Sequence, residues 1–264
     1  MIVWARGLTM TATSISIRPG NEKPFRPYHP QDRNAFLAMV AAVWAAILGG
    51  FGWDIIDHLN KHKATWPLVI HIHAAVFLTW LALLTTQVLL IRSRRMDLHK
   101  RLGLLGAGLI PVMIILALSA AWVMDRHYLG TKDADPSFLS IQLVDVVLFA
   151  TLAGAALLLR GDASAHKRLI LLATFQIIDA GFGRLMGFVF PSLSSTEFWP
   201  SYITNYVGTD LLVLALGAYD LITRRRLHPA YFAGAAWLLL VELTGNWLYV
   251  TPAWKPIALR LLGH

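Results

Sequence analysis

Residues 67–124 read PLVIHIHAAVFLTWLALLTTQVLLIRSRRMDLHKRLGLLGAGLIPVMIILALSAAWVM, two long apolar runs joined by a short basic turn. Each run covers the ~20 residues that a helix needs to cross ~30 Å of hydrocarbon. The turn between them carries Arg92, Arg94, Arg95, Lys100 and Arg101. This is the pattern of a transmembrane hairpin with its basic turn in the cytoplasm. Outward from it the apolar segments number seven, at about 36–58, 67–91, 103–124, 138–159, 168–190, 205–223 and 230–250. In lipid only a helix satisfies its backbone groups within one segment, so the expected fold is all-α, a seven-helix transmembrane bundle. The chain divides into a tail (1–35), the bundle (36–251) and a C-terminal segment (252–264).

Composition agrees with a lipid-solvated chain. Of 264 residues, 56% are hydrophobic and 14% charged, and the mean hydropathy is +0.57. The absence of cysteine excludes disulfides, thiolate metal sites and cysteine nucleophiles. A net charge of +8 does not point to nucleic acid, because the Lys and Arg residues sit mainly in the tail and the short turns. The partner this distribution suits is a bilayer with anionic headgroups.

The tail is broken by Pro19, Pro24, Pro27 and Pro30 and dotted with Arg6, Arg18, Arg26 and Arg33. It lacks an apolar core followed by a small-residue cleavage site, so it does not read as a signal peptide. Met10 is an alternative start, and the tail reads as a disordered basic arm beside the headgroups.

Lys and Arg in alternate turns set the topology. One side holds the tail and the turns with Arg92 to Arg101, Arg160 to Arg168 and Arg224 to Arg226. The other holds only Lys61, Lys63, Arg126, Lys132, Lys255 and Arg260. The N-terminus is expected inside and the C-terminus outside. Phe198, Trp199 and Tyr202 then form an outer aromatic belt, and Trp254 to Leu262 forms a short amphipathic helix on the outer surface.

The tetrapeptide His-Lys-Arg-Leu occurs twice at inner helix starts, at His99 to Leu102 and at His166 to Leu169. Asp97 and Ser164 each precede it as expected N-caps. Helices two to five thus read as two copies of one hairpin around a shared four-helix core.

With a rise of about 1.5 Å per residue, His73, Asp145, Arg184 and Asp210 each lie roughly 7 to 11 Å below the outer boundary. Asp54 is slightly shallower and Glu242 slightly deeper, so all six are expected to meet in one polar membrane site. Asp179 lies nearer the midplane, and Asp57, His58 and His127 lie at the rim. An ionised group in hydrocarbon costs about 3 kcal/mol or more, so Arg184 needs a carboxylate, and the depth match makes Asp145 the expected partner. Helix packing alone is the plain alternative for that pair.

His71 and His73 point about 200° apart on a helix. His73 shares a stripe with Phe77, Trp80, Leu84 and Gln87 and is the expected inward residue. A zinc or iron site around His73, or at the rim from Asp54, His58 and His127, is one option; a hydrogen-bonded filler histidine is the other. His99 and His166 are candidate axial ligands of haem b, or alternatively interfacial histidines on lipid phosphate. His166 and Arg184 are expected on one face of helix five, with Ala173, Ala180 and Gly181 between them as a packing stripe or a cofactor slot.

The runs HIHAAVFLTWLALLTTQVLLIRSRRMDLHKRLGLLG (71–106) and AHKRLILLATFQIIDAGFGR (165–184) resemble bacterial predicted membrane proteins grouped as domain of unknown function 2306. The resemblance covers helices two to five through His73, Gln87, His99, Gly103, His166 and Arg184. It departs in Lys-Arg-Leu where the family often has Arg-Arg-Trp, and in Asp179. It implies a bacterial inner-membrane location and names no activity. More distantly the four-helix core is similar to the cytochrome b561 class, which implies haem b and electron transfer. Histidine-rich desaturase boxes are absent, and helix seven lacks the histidines of the ceramidase and adiponectin-receptor hydrolases.

Three functions follow. The first is a redox protein with haem b on His99 and His166, or on His73 and a rim partner, and a quinone or proton at the outer polar site. The second is a proton-coupled or small-solute carrier built on Asp145, Arg184, Asp210 and Glu242. The third is a metal-dependent membrane hydrolase using His73 and nearby carboxylates.

Overall fold

Apolarity sets the helices, and a computed structural model describes them for residues 25–61, 65–193 and 196–264. The first 24 residues, with Met10 and most of the basic tail, lie outside the described residues, as does Lys63. The long helices are α1 (Asp32–Asn60), α2 (Leu68–Arg92), α3 (Met96–Tyr128) and α4 (Leu139–Leu158), then α5 (Ala163–Phe175) and α6 (Asp179–Val189), then α7 (Phe198–Arg224) and α8 (Pro229–Val250). A short α9 (Trp254–Leu261) follows, and no strand occurs among the described residues. Six stretches are long and apolar enough to cross a membrane: Asp32–Asn60, Leu68–Arg92, Met96–Tyr128, Pro136–Leu158, Ala163–Val189 and Phe198–Arg224. The chain is all-helical among the described residues and has the build of a multi-pass membrane protein. Helix α8 is 22 residues long but is not one of the six.

Polar contacts tie the helices together at two ends. At the basic end, Lys167 on α5 meets Asp32 on α1 and the Pro27 carbonyl. At the far end, Arg126 on α3 donates to the Leu262 carbonyl, and Trp254 donates to the Ser137 carbonyl.

The centre of the bundle is α5–α6, with 56% of its span buried against 17% for α2 and 22% for α3. Helix α6 packs on α1 and α7, while α5 packs on α4, α8 and α7. Helices α2 and α3, members of the expected four-helix core of helices two to five, are the least buried of the six spans. The physical reason is polarity. Lipid covers the leucine-rich faces of α2 and α3, but it cannot satisfy Arg168, Thr174, Gln176 and Asp179 on α5–α6.

The two tetrapeptide copies also differ. Helix α5 is capped by Asp162, whose Oδ1 accepts the amides of Ser164 and Ala165 at 2.8 and 3.1 Å, so Ser164 is not the N-cap. Helix α3 starts at Met96 behind Arg95, with Asp97 inside its first turn. Asp162 takes the free amides because a carboxylate just before the turn reaches them first. Arg168 of the second copy is fully buried, whereas Arg101 of the first is exposed.

The C-terminal segment is clamped rather than merely resting on the surface. Ala258 and Leu262 of this segment are buried in a small cluster with Ala121 and Leu139.

Helices α1 and α6 cross at Gly50 and Gly181, where a Cβ on Gly50 would collide with the Gly181 backbone. Gly50→Val is therefore expected to cost about 1–3 kcal/mol through overpacking. Gly49→Val, which meets open space, should stay within about 0.5 kcal/mol. Thermal unfolding in detergent checks both, and equal melting of the two variants would contradict the crossing.

Candidate functional site

The central helix is broken. Helix α5 ends at Phe175, a 3-10 turn spans Gln176–Ile178, and α6 begins at Asp179. The amide of Asp179 turns back to the Gln176 carbonyl, which frees the Phe175 carbonyl from its α-helical donor. The Thr209 hydroxyl on α7 lies 2.8 Å from that carbonyl. No proline or glycine lies in the turn. The break is thus held by bonds from neighbouring helices rather than by a local helix breaker.

The break delivers Gln176 and Asp179 to a cluster of acids. Gln176 Nε2 donates to Asp145 Oδ1 on α4 at 2.8 Å and to Asp179 Oδ2 at 2.5 Å. Asp179 Oδ1 lies 2.6 Å from the Thr209 hydroxyl. Beside this group, the Tyr202 hydroxyl lies 2.9 Å from Asp210 Oδ2 and 3.2 Å from Glu242 Oε2 on α8. Ser201 donates to Asn246 Oδ1, and Asn246 donates to the Phe198 carbonyl, each at 2.8 Å, tying α7 to α8 above the cluster. Asp179, Glu242, Gln176 and Tyr206 are all buried, and Asp210 is half-buried. Among the described residues, none of the four carboxylates pairs with a Lys, Arg or His. Three buried polar atoms at the cluster have no partner: Glu242 Oε1, Gln176 Oε1 and the Tyr206 hydroxyl.

The expected six-residue site therefore divides. Asp145, Asp210 and Glu242 enter the acid cluster, while Asp54 and Arg184 form a separate, half-exposed pair. Arg184 Nε is 3.1 Å from Asp54 Oδ2, its Nη1 donates to the Ala180 carbonyl, and its guanidinium lies over Phe51. The expected Asp145/Arg184 pair is incorrect. Depth fixed the level of Arg184 but not its direction, and a 3-10 turn adds roughly 20° per residue to the α-helical advance. The same turn corrects the shared face of His166 and Arg184, since His166 faces the Ala156 carbonyl of α4 whereas Arg184 faces α1. Gly181, in the stripe expected as a packing stripe or a cofactor slot, packs against Ala46 and Ile47 of α1.

The histidines are dispersed. His71 is exposed; His73 is half-buried, with its ring stacked on Phe77 at 4.0 Å and its Nδ1 unpartnered. His58 stacks on Trp66 and His127 contacts Tyr128, so the rim trio with Asp54 does not assemble. Among the described residues, no group of three or more His, Asp and Glu could hold a metal ion. At the basic end, His166 Nδ1 lies 2.8 Å from the Ala156 carbonyl, and His99 Nδ1 is buried without a partner. Tyr202 also departs from expectation: it is buried rather than in the aromatic belt, because its hydroxyl serves two acids, while Trp199 is exposed.

A second charge system closes the basic end. Arg168 donates from Nε and Nη2 to Asp220 at 2.6 and 2.5 Å, with both side chains fully buried. Arg224 clasps both oxygens of Asp32 at 2.8 Å, and Lys167 reaches the same carboxylate. The Phe25 ring covers Arg168, Arg224 and Arg226, edge-on to His228. Burial, helped by Arg168, holds the His228 imidazole below the usual histidine range, which suits its Nδ1 accepting the Ala230 amide. Lys167, Arg168 and Arg224 are thus each paired with a carboxylate of the chain. Asp220 and Arg168 lie at matching depths from the basic end, so the depth count that picked out Asp210, applied from the other face, would have paired them.

No family model, curated protein or solved structure matches this chain.

Arg168→Met leaves Asp220 buried against Arg224 alone. Removing one partner of a buried pair typically costs about 3–5 kcal/mol, and replacing both with apolar groups recovers much of it. Thermal unfolding of Arg168→Met should show that loss, with Arg168→Met/Asp220→Leu restoring most of it.

Proposed function

We propose that this protein is a seven-helix inner-membrane protein, N-terminus inside, that couples protons to the passage of a small solute through the cluster of Asp145, Asp179, Asp210 and Glu242. The observation that carries the reading is a hydrogen count. The Tyr202 hydroxyl has one hydrogen and two carboxyl oxygens within hydrogen-bond distance. It donates fully to one, and a proton on the other, a carboxylic acid donating to the Tyr202 oxygen, satisfies both contacts. The Thr209 hydroxyl faces the same choice between the Phe175 carbonyl and Asp179 Oδ1. A carbonyl has no hydrogen to give, so there a proton on Asp179 is what satisfies both contacts. Four acids with no basic partner, in surroundings where an ionised group is costly, are a store for protons.

Two further features support a carrier. The acids come from α4, α6, α7 and α8, so protonation bears on how four helices sit together. The broken central helix passes through the cluster, and interrupted helices near the bilayer midplane are where transporters place their binding sites. Counting α8 as the seventh span gives the acid on that helix, Glu242, its place inside the membrane. The basic turns at one end support the inside placement of the N-terminus.

Haem b between His99 and His166, in a redox protein, is the second reading. It is favoured by the unpartnered Nδ1 of His99 and by the His166 bond to Ala156, which leaves Nε2 free for a ligand. Its resemblance to the cytochrome b561 class, and the wider resemblance to the domain of unknown function 2306, rest on the quoted residues alone.

Purified protein in liposomes adsorbed on a solid-supported membrane should give a transient charge displacement on a pH jump, as protons enter the membrane field. Glu242→Gln and Asp145→Asn should each reduce it several-fold. No transient above protein-free liposomes would contradict the carrier. An oxidised-minus-reduced visible spectrum of the same preparation should be featureless on this account; haem bands lost in His99→Ala would favour the second reading.

A further inference from the structure

The acids are not equally placed. Asp179 and Glu242 are buried, whereas Asp145 and Asp210 are half-buried, and Asp210 is the more open of these two. The only groups bonded to Asp210 and Glu242 in common belong to Tyr202, whose hydroxyl touches both. No direct hydrogen bond joins that trio to the second group of Asp145, Gln176, Asp179 and Thr209. The Tyr206 hydroxyl sits against Gly245 of α8, one turn from Glu242, where the side chain of Val144, the neighbour of Asp145, also packs. It is also one of three buried atoms of the cluster without a partner among the described residues, with Glu242 Oε1 and Gln176 Oε1 the others. A buried water is satisfied by two to four such partners.

Building on the proton-coupled reading, we propose that Tyr202 and Tyr206 form a proton relay that fills the cluster from Asp210. In the first step the Asp210 carboxylic acid gives its proton to the Tyr202 oxygen as the Tyr202 hydrogen passes to Glu242 Oε2. One O–H bond breaks and one forms at Tyr202, which stays neutral, and one proton has moved inward. In the second step a water held by Glu242 Oε1, the Tyr206 hydroxyl and Gln176 Oε1 carries a proton between Glu242 and the Asp145/Asp179 pair. Toward the basic end the route stops. Leu148, Leu172, Phe175, Leu216 and Leu238 are fully buried in one apolar core, and the Arg168/Asp220 pair lies toward the basic end. Protons thus exchange with one face only in this conformation, and the broken helix is the element whose movement would open the other.

The test is hydrogen–deuterium exchange of the buried acids in the full-length protein in nanodiscs, read as the infrared shift of each carboxylic C=O band when D2O replaces water. Bands are assigned by Glu242→Gln, Asp145→Asn and Asp179→Asn. Tyr202→Phe keeps the ring and removes the bridge, and it should slow exchange at Glu242 at least about tenfold, the scale of a lost proton-transfer partner. Asp210→Asn, which retains a hydrogen-bonding group but cannot pass a proton, should do the same. Tyr206→Phe should leave Glu242 exchange unchanged and slow that of Asp145 and Asp179. Exchange at the unaltered rate in both Tyr202→Phe and Asp210→Asn would overturn the relay while leaving the proton store intact. Absence of any carboxylic band would overturn the relay and the proton store together.

Discussion

A carboxylate placed in hydrocarbon must find a cation or keep its proton, and among the described residues the four acids at the centre of this bundle have no Lys, Arg or His partner. The rest of the structure is arranged around that constraint. The acids come from four helices and share hydrogens through Gln176, Thr209 and Tyr202, each an uncharged side chain. Such donors bind an acid without fixing it as an anion, so the network can change its proton count without losing its bonds. An arginine in the same place would hold its partner ionised and make the site a structural one.

The basic end shows that contrast within the same chain. There Asp32 and Asp220 are matched by Lys167, Arg168 and Arg224, under the ring of Phe25. These ion pairs join the starts of α1 and α5 to the end of α7. The same central helix therefore begins in a permanently paired charge network and ends, after its break, in an unpaired acidic one. Its first half is anchored, and its second half is held at the break by side-chain bonds to α4 and α7. The close α1–α6 crossing at Gly50 and Gly181 keeps α6 tied to α1, so movement at the break would carry those two helices together.

Much of this architecture is legible in the sequence because apolar length alone dictates where helices run. The segment expected at 67–91 is α2 (Leu68–Arg92), and that expected at 230–250 is α8 (Pro229–Val250). The level of the polar site is legible as well, since rise per residue converts position into depth, and Asp145, Asp210 and Glu242 do share a cluster. Direction around the helix was not legible. The break at Gln176–Ile178 has no proline or glycine to announce it, so the rotation that turns Arg184 toward Asp54 left no mark in the local pattern. Gln176, Tyr202 and Thr209 escaped attention because they carry no charge, although they are the groups that join the acids. Arg168 looked like a turn residue because its partner Asp220 lies 52 positions away.

The most direct measurement is the infrared spectrum of the carboxylic C=O region at neutral pH, compared between the wild-type protein and Asp179→Asn. Protonated buried acids should absorb there, and the Asp179 substitution should remove one component, because the proposed reading puts a proton on that side chain at the Thr209 contact. A wild-type spectrum without carboxylic acid absorption, or one that Asp179→Asn leaves unchanged, would mean the cluster is ionised and would contradict the account.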